Sequence, residues 1–399
     1  MKKIMILGAS ILQVPAIKKA KELGLKVIAV DMDPKAVGFE EADINLVIST
    51  IDIPNVVKAA EKYQIDGVMT LASDMPMRTV AAIVKKLGLI GISDDTALKA
   101  TNKAVMRQAL SDYGVPIPKF YTATNEEEYV AAVKEIERMG YRCIVKPADN
   151  SGSRGVKLLE NFDEEIVRAA YKYSRTYSRN GDVVVEEFME GPEVSVETLS
   201  INGKCNIVQI TDKLTTGAPY FVEMGHNQPS KLSPEICKQI EKVAIAANKA
   251  IGITDGPSHT EIKVTAEGPK VVELGARLGG DNITTHLVPL STGVDMVECC
   301  IRIALGEEPD ITPKFHKASA IRYIRSDVGL IEEINGLEEA ESVPGIRQIS
   351  IVHGVGENAK KIQSSVDRIG FVIAQENTVA GAVDACEKAL EKVNVKIRA

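Results

Sequence analysis

Tryptophan is absent from this 399-residue sequence, and aromatic residues make up only 4% of it. Proteins that bind single-stranded nucleic acid usually stack the bases on aromatic side chains, so this scarcity argues against such a partner. Lys and Arg (48) are fewer than Asp and Glu (55), and the net charge of −7 lacks the basic surplus of a phosphate-backbone binder. The composition therefore predicts no nucleic-acid partner.

Long apolar runs are also missing. No stretch reaches the ~20 apolar residues that span a bilayer, and the N-terminal run Ile4–Gly8 is too short for a secretion signal. The six cysteines form no CxxC pair and no cluster with histidine at zinc spacing. We therefore expect reduced thiols, a cytoplasmic location and no membrane partner.

The first 95 residues alternate short apolar strands with amphipathic helices. Such alternation is typical of a parallel sheet that is covered by helices on both faces. The predicted strands are Lys3–Leu7, Lys26–Val30, Ile44–Ser49 and Gly67–Leu71. The predicted helices are Gln13–Leu23, Ile53–Tyr63 and Met75–Leu87. Residues 1–95 are thus expected to form a doubly wound, Rossmann-like α/β domain.

The remaining chain has an α+β pattern with antiparallel pairs. A helical run over Thr96–Tyr113 is followed by strands and helices, and the Asn202-Gly203 turn predicts a hairpin. Lys213 to Ser230 is predicted as one long loop, which is usually functional in a compact domain. The last part contains two predicted strands, Ala318–Ile324 and Ile346–Val352, and a helix, Val379–Val393.

A weak dinucleotide signal stands at the start of the chain. Gly8 ends the first strand and Asp31 ends the next, as in nicotinamide- and flavin-binding domains. The Gly-x-Gly-x-x-Gly fingerprint is incomplete, because Ser10 and Gln13 occupy the other two glycine positions. The alternative is a doubly wound domain whose first turn is tight for packing, or which holds a small substrate at its strand ends.

A loop of small residues follows the strand that carries Lys146. The loop, Ser151–Gly155, contains two glycines, and glycine lets backbone N–H groups approach phosphate oxygens closely. It is not a Walker loop, because the lysine precedes the glycines. The sequence is compatible with a phosphate cradle or with a plain hairpin.

Two acidic strands flank one predicted hairpin turn at Ala266–Gly268. If the turn is symmetric about Glu267, Glu261 and Glu273 lie opposite each other on one face. Like charges directly opposite repel in a bare sheet, whereas a divalent cation with oxygen ligands would stabilise the pair. A solvated face, with Lys263 as the counter-charge, is the alternative. Arg277, four residues past Glu273, could hold a phosphate or carboxylate with two parallel hydrogen bonds.

The order of these parts resembles the ATP-grasp superfamily over nearly the whole chain. A helix lysine, a strand lysine, a glycine loop, an acidic–aromatic segment and two metal carboxylates follow one another as in its amino-acid-ligase, biotin-carboxylase-like and carbamoyl-phosphate-synthase members. The resemblance implies a pre-ATP-grasp domain (1–95), an ATP-grasp N-terminal part with a lid (96–190), an ATP-grasp C-terminal part with the metal site (191–311) and a closing domain (312–399).

The resemblance also implies roles for individual residues. Lys103 and Lys146 would hold ATP phosphates, and Arg277 and Lys146 would act in catalysis. Glu261 and Glu273 would bind Mg²⁺, with Mn²⁺ as an alternative ion. The remaining ATP-binding residues would be Ser151, Gly152, Ser153, Gly155, Glu186, Glu187, Phe188, Met189 and Glu193. Taken alone, Lys103 could be a solvated helix lysine and Glu193 a plain hairpin residue.

Gly275 departs from the usual pattern of the superfamily. Many members have Glu-x-Asn-x-Arg, and here Gly275 stands where the asparagine would be a further metal ligand. Either one Mg²⁺ binds tightly, or water or substrate completes the coordination. The second substrate is expected to contact Glu223, His226, His259, Arg277, Gly279 and Gly280.

The expected activity is that of an ADP-forming carboxylate–amine ligase. A small carboxylate would take the γ-phosphate of ATP, and an amine would displace phosphate to form an amide or peptide-like bond. Glycinamide-ribonucleotide-synthetase-like and carbamoyl-phosphate-synthase-like enzymes are near alternatives. A non-catalytic ATP-binding regulatory module is an alternative of another class. The resemblance also implies a homodimer.

Overall fold

The computed structural model describes residues 1–150, 152 and 154–398. Its first unit is a parallel four-stranded sheet, as predicted, in the order β3-β2-β1-β4. The strands are β1 (Lys3–Leu7), β2 (Lys26–Asp31), β3 (Ile44–Val47) and β4 (Gly67–Met69). The helices are α1 (Val14–Glu22), α2 (Ile53–Tyr63) and α3 (Met77–Leu87). The apolar strands β1 and β2 are buried on both faces, which explains their unbroken hydrophobic runs.

The turn after β1 is filled by the protein's own side chains. The Gln13 side-chain oxygen accepts hydrogen bonds from the Ser10 backbone N–H (3.1 Å) and hydroxyl (2.7 Å). Asp31 accepts the Ala9 N–H at 2.8 Å. These contacts occupy two amides that a pyrophosphate would need in the dinucleotide alternative.

Two helices, rather than the single predicted run Thr96–Tyr113, follow the first unit. They are α4 (Asp94–Thr101) and α5 (Lys103–Asp112), and the single-helix prediction is wrong. Asn102 between them has an extended backbone, and its side chain caps α5 by accepting the Val105 N–H. The break matters for function because it puts Lys103 at the first position of α5.

The second unit is a four-stranded antiparallel sheet that is covered by two helices. Its order is β5-β8-β6-β7. The strands are β5 (Phe120–Ala123), β6 (Cys143–Pro147), β7 (Lys157–Leu159) and β8 (Val183–Glu187), and the helices are α6 (Glu126–Arg138) and α7 (Glu164–Thr176). The buried Tyr129 and Tyr171 rings pack with their centroids 4.9 Å apart between the two helices.

The largest sheet has eight strands in the order β13-β12-β9-β10-β11-β14-β18-β16. Its strands are β9 (Glu193–Ile201), β10 (Lys204–Thr215), β11 (Glu223–Gln228), β12 (Gly256–Thr265), β13 (Gly268–Gly275), β14 (Ala318–Tyr323), β16 (Ile346–Ile351) and β18 (Gly370–Glu376). The helices that accompany them are α8 (Pro234–Ile251), α9 (Val288–Thr292), α10 (Met296–Ala304), α11 (Leu337–Glu341) and α12 (Val379–Leu390). The last small sheet contains β15 (Gly329–Asn335), β17 (Asn358–Ala359) and β19 (Asn394–Arg398).

Half of the predicted loop from Lys213 to Ser230 is strand. β10 continues to Thr215 and β11 begins at Glu223, so the connection comprises only residues 216–222. The polar composition misled the prediction because β11 is a buried strand with buried polar side chains. Glu223 and His226 therefore lie on a rigid sheet and not on a flexible loop.

The C-terminal residues share the large sheet with the middle of the chain. β14 pairs with β11 and β18 pairs with β14, so residues from 318 onward extend the sheet that begins at Glu193. The six cysteines are all free. Within residues 1–150, 152 and 154–398, no helix has the length and apolarity needed to cross a bilayer.

Candidate active site

One face of the eight-stranded sheet is polar although it is largely buried. Cross-strand neighbours lie side by side on the same face, so the strand register places these side chains in rows. The first row contains Lys263, Glu193, Lys213 and His226. The second row contains Glu273, Glu261, Ser195 and Thr211, and His259 and Glu197 form a third. One or more residues of each row form the floor of a cavity of about 270 Å³, namely Lys213, His226, Glu261, Glu273 and His259.

The predicted carboxylate pair is present. Glu261 and Glu273 are direct partners between β12 and β13, which confirms the predicted register. Glu273 Oε1 lies 2.7 Å from Lys103 Nζ, and Glu261 Oε1 lies 2.9 Å from Lys213 Nζ. Both carboxylates line the cavity and are partly exposed. Their oxygens suit a divalent cation that takes its other ligands from phosphates and water, so the residues fit the expected Mg²⁺.

Lys213 lies at the centre of the floor and was not predicted as a site residue. Its ammonium is 2.8 Å from Glu193, 2.9 Å from Glu261 and 3.5 Å from Glu223. Burial opposes its charge, but the three carboxylates outweigh burial and raise the pKa of Lys213 well above its usual value. The sequence does contain a signal, because Lys213 lies in a strand that also carries apolar residues. The prediction of a loop from Lys213 to Ser230 hid this signal.

Lys146 reaches the site through a buried ion pair. Lys146 Nζ lies 2.9 Å from Glu186, and Arg107 Nε lies 2.7 Å from the other oxygen of the same carboxylate. Burial alone would raise the pKa of Glu186, but the charges of Arg107 and Lys146 lower it to about 2. The Glu186 side chain, expected along the adenine edge, thus holds two cations in place.

The segment after β8 has an aromatic centre with cations around it. Arg142 lies 4.7 Å and Lys263 lies 5.4 Å from the centroid of the Phe188 ring. The Glu187 backbone N–H donates to the Lys119 carbonyl at 2.9 Å, and its carboxylate accepts from Lys270 at 2.7 Å. Met189 is buried beside them. The segment that is predicted to follow the adenine edge is therefore held in place by hydrogen bonds and by packing.

The glycine loop is fastened to helix α7. Ser174 Oγ donates to the Gly155 carbonyl at 2.5 Å. Gly155 has a φ of +79°, and a Cβ there would lie 2.7 Å from the Tyr177 Cβ, so a larger residue does not fit. Gly152 is exposed and lines the cavity. Ser151 and Ser153, both predicted ATP contacts, lie outside the described residues.

Arg277 is held by a carboxylate from the first unit of the chain. Its Nε and second terminal nitrogen donate to the two oxygens of Asp74 at 2.8 and 3.0 Å. A Cβ on Gly275 would lie 2.7 Å from Asp74 Oδ1. The space that the usual asparagine would fill is therefore needed by Asp74, which accounts for the glycine.

His259 is held between two carboxylates. Its Nδ1 lies 2.6 Å from Glu197 Oε1, and its Nε2 lies 3.4 Å from Glu261. Burial opposes the charged ring, but Glu197 outweighs burial and raises the pKa of His259 to about 9. A Cβ on Gly279 would lie 2.7 Å from His259 Nδ1, so glycine is required for this packing. The next residue, Gly280, lines the cavity.

A match to the ATP-grasp domain model covers residues 139–285 and includes the loop, Lys146, the carboxylate pair and Arg277. This part of the chain is an ATP-grasp domain. A second family model, the L-amino acid ligase C-terminal domain 2, matches residues 322–398. All residues of the three polar rows therefore lie within the ATP-grasp match. The C-terminal match includes β15 to β19.

Similar proteins include enzymes of the expected type. The L-arginine-specific L-amino acid ligase of Bacillus subtilis is 27% identical over 302 residues, which are 73% of this chain and 71% of that protein. The L-amino acid ligase from Bacillus licheniformis superposes with a TM-score of 0.84 at 23% identity, with 100% and 99% of the two chains covered. The phosphoribosylglycinamide synthetase from Anaerococcus prevotii gives 0.81 at 22% identity, with complete coverage of both chains. At these identities the structural likenesses show the fold.

The ATP-grasp fold brings most of the predicted residues to one place. The cavity is lined by Glu223, His226, His259, Glu261, Glu273, Arg277 and Gly280, among others. A neighbouring cavity of about 300 Å³ contains Lys103, Glu273 and Asn150. Asp74, Lys213 and Asp281 also line the first cavity and were missed, because their side chains come from distant segments without a motif.

Proposed function

We propose that this ATP-grasp protein is an ADP-forming carboxylate–amine ligase. The observation that carries the proposal is the facing pair Glu261 and Glu273, each beside a lysine, in a cavity that Arg277 also lines. Phosphoryl transfer depends on positioning and on neutralising the charge of the phosphates, and this set of groups suits both tasks. The amino acid ligases among the relatives support the proposal.

ATP is proposed to lie between the two antiparallel sheets. Glu187, Phe188 and Met189 would follow the adenine edge, and Glu193 would face the ribose. Lys103 and Lys146 would contact phosphates, with Gly152 and Gly155 of the loop closing over them. The two lysines are paired with Glu273 and Glu186, so their ammonium groups are already positioned.

The proposed reaction has two steps. A carboxylate oxygen attacks the γ-phosphorus, the bond to the bridging oxygen breaks, and ADP leaves with the electron pair. The amine nitrogen then attacks the carbonyl carbon of the acyl phosphate, and inorganic phosphate leaves with the C–O electron pair. Arg277 would face the charge that develops on the phosphorylated carboxylate. Bound between Glu261 and Glu273, Mg²⁺ (or Mn²⁺) would supply further neutralisation of the phosphates.

The first unit of the structure favours an acceptor without a phosphate group. In the turn after β1, the Ala9 and Ser10 amides are already bonded to Asp31 and Gln13. A phosphorylated acceptor, as in a glycinamide-ribonucleotide-synthetase-like enzyme, would have to displace these part-buried contacts. We therefore place amino acids or similar small molecules first among the carboxylate and amine substrates.

The decisive experiment measures ADP and phosphate release from MgATP. The pools are amino acids, dipeptides, bicarbonate and phosphoribosylamine, each with and without a second substrate. Release that depends on one pool supports the ligase and identifies its substrate class. ATP binding without release in any pool supports the regulatory alternative instead.

Two further expectations belong to this proposal. The six free thiols suit a reducing compartment, so we propose that the reaction takes place in the cytoplasm. A homodimer is proposed from the family resemblance, and light scattering after size exclusion measures it directly. A monomer at assay concentration would remove the dimer from the proposal.

Arg277→Lys is expected to lower the rate of ADP formation by about 100-fold. A lysine cannot donate to both oxygens of Asp74 in the planar geometry that arginine allows, so its charge would be misplaced. The measurement is the steady-state rate with the active pool. Arg302→Lys on α10, where the arginine pairs with Glu298, is the matched control and should keep the parental rate.

A further inference from the structure

His226 on β11 has a buried imidazole without hydrogen-bond partners. Its side chain is fully buried, and neither ring nitrogen makes a hydrogen bond with the described residues. The ring nevertheless lines the cavity that also contains Glu273 and Arg277. A buried polar group without a partner costs free energy, so this arrangement points to a group that enters the cavity from solution.

Asp281 lies beside the His226 ring. Its Oδ2 is 3.5 Å from His226 Nε2. Asp281 and Asn282 both have left-handed backbone conformations, with φ of +51° and +61°. Aspartate and asparagine adopt this conformation more readily than other residues with a Cβ. The turn places the Asp281 carboxylate at the cavity.

Arg368, from the C-terminal part of the chain, holds Asp281 with two hydrogen bonds. Its terminal nitrogens donate to the two Asp281 oxygens at 2.7 and 3.0 Å. Arg368 is itself buried, lies 3.7 Å from the centroid of the Tyr323 ring, and donates to the Glu223 carbonyl at 3.0 Å. The guanidinium of Arg368, bonded to both oxygens, favours the ionised form of Asp281, which is therefore a carboxylate in a fixed position.

The charges around His226 come from several elements. Lys213 is its register partner on β10, and Arg322 of β14 donates to its backbone carbonyl at 3.3 Å. The titratable and charged groups that surround the ring are Lys213, Glu223, Asp281, Arg322, Tyr323 and Arg368. Lys213 is neutralised by three glutamates, which leaves Asp281 as the charge beside the ring.

We propose that His226 is the general base that takes a proton from the attacking amine. The inference rests on the proposed ligase activity. An ammonium R–NH₃⁺ transfers one proton to His226, and the freed lone pair attacks the acyl-phosphate carbon. The C–N bond forms, the C–O bond to phosphate breaks, and the second amine proton leaves with the phosphate. Asp281 and Arg368 are positioning residues, because Asp281 stabilises the imidazolium that forms and Arg368 fixes Asp281.

The test compares two nucleophiles in the same active site. Wild-type and His226→Gln proteins receive MgATP, a mixture of the twenty L-amino acids, and either no other nucleophile or hydroxylamine. Hydroxylamine is unprotonated at neutral pH, so hydroxamate formation needs the acyl phosphate but no base. We expect His226→Gln to lose about 100-fold in amide formation and to retain hydroxamate formation. We also expect its amide rate to recover at high pH, where the amine loses its proton to solvent.

Arg368→Gln and Asp281→Asn should also lose amide formation and retain hydroxamate formation. Arg347→Gln, at an exposed arginine of β16, is the control and should lose neither reaction. Equal losses in both reactions, or no loss in either, would overturn the assignment of His226. Wild-type protein that forms no hydroxamate would instead contradict the proposed ligase itself. The two failures are therefore distinguishable.

Discussion

Glu273→Gln is expected to lower Mg²⁺-dependent ADP formation by about 1,000-fold. The substitution keeps the shape of the side chain but removes one of the two facing carboxylates and the partner of Lys103, 2.7 Å away. The phosphates would then lose both a cation site and a correctly oriented ammonium. The measurement is ADP release against Mg²⁺ concentration, and the variant should need far more Mg²⁺ for any residual rate.

Glu267→Gln is the matched control for this experiment. Glu267 lies in the turn of the same hairpin, its side chain is 66% exposed, and it pairs only with Lys270 among the described residues. It should leave both the rate and the Mg²⁺ dependence unchanged. A Glu273→Gln protein with an unaltered Mg²⁺ dependence would show that this hairpin does not hold the cation.

Arg107→Met is expected to destabilise the protein by about 3–5 kcal/mol. Arg107 is 2% exposed, and it bonds Glu186 and the carbonyl groups of Val271 and Val272. Its loss leaves a buried carboxylate with Lys146 alone and two carbonyl groups without this donor. The measurement is the urea midpoint together with the melting temperature.

The pH dependence of stability gives an independent check on this buried cluster. The pKa of Glu186 is lowered to about 2 from its ordinary 4.5, so its contribution is complete above pH 4.5 and is lost as pH falls from 4.5 to 2. Arg107→Met removes one cause of the shift, so the pKa of Glu186 should lie closer to 4.5 and the loss of stability in acid should be smaller than in the parent protein. Arg138→Met, at an exposed helix arginine, should change neither the midpoint nor its pH profile. Equal behaviour of the two variants would contradict the importance of the buried pair.

Local sequence patterns predicted many of the elements well. Helix Ile53–Tyr63 and strand Lys3–Leu7 have the predicted bounds. The hairpin symmetry about Glu267 predicted the Glu261–Glu273 register, because register depends on a short turn and on alternation, which are both local. The fold and family expected from the order of motifs are confirmed by the ATP-grasp match. The roles of individual residues stay predictions until they are measured.

Contacts between distant segments could not be predicted. Arg107 meets Glu186 and Asp74 meets Arg277 only because the sheets and helices pack as they do. Asn102 was missed as a helix break because a capping side chain and a solvated one look alike in a helical pattern. β11 was missed because its buried strand is polar, and hydrophobic periodicity does not register such a strand.

The shared eight-stranded sheet constrains how this protein can be rebuilt. β14 is hydrogen-bonded to β11 along Gly225 to Gln228, so an exchanged C-terminal segment must supply a strand that matches this edge. It must also supply the equivalent of Arg368, which holds the cavity residue Asp281 from that segment. Chimeras with other ligases should therefore join outside this strand pair, and a graft that keeps both the strand and the arginine would carry part of its parent's substrate preference with it.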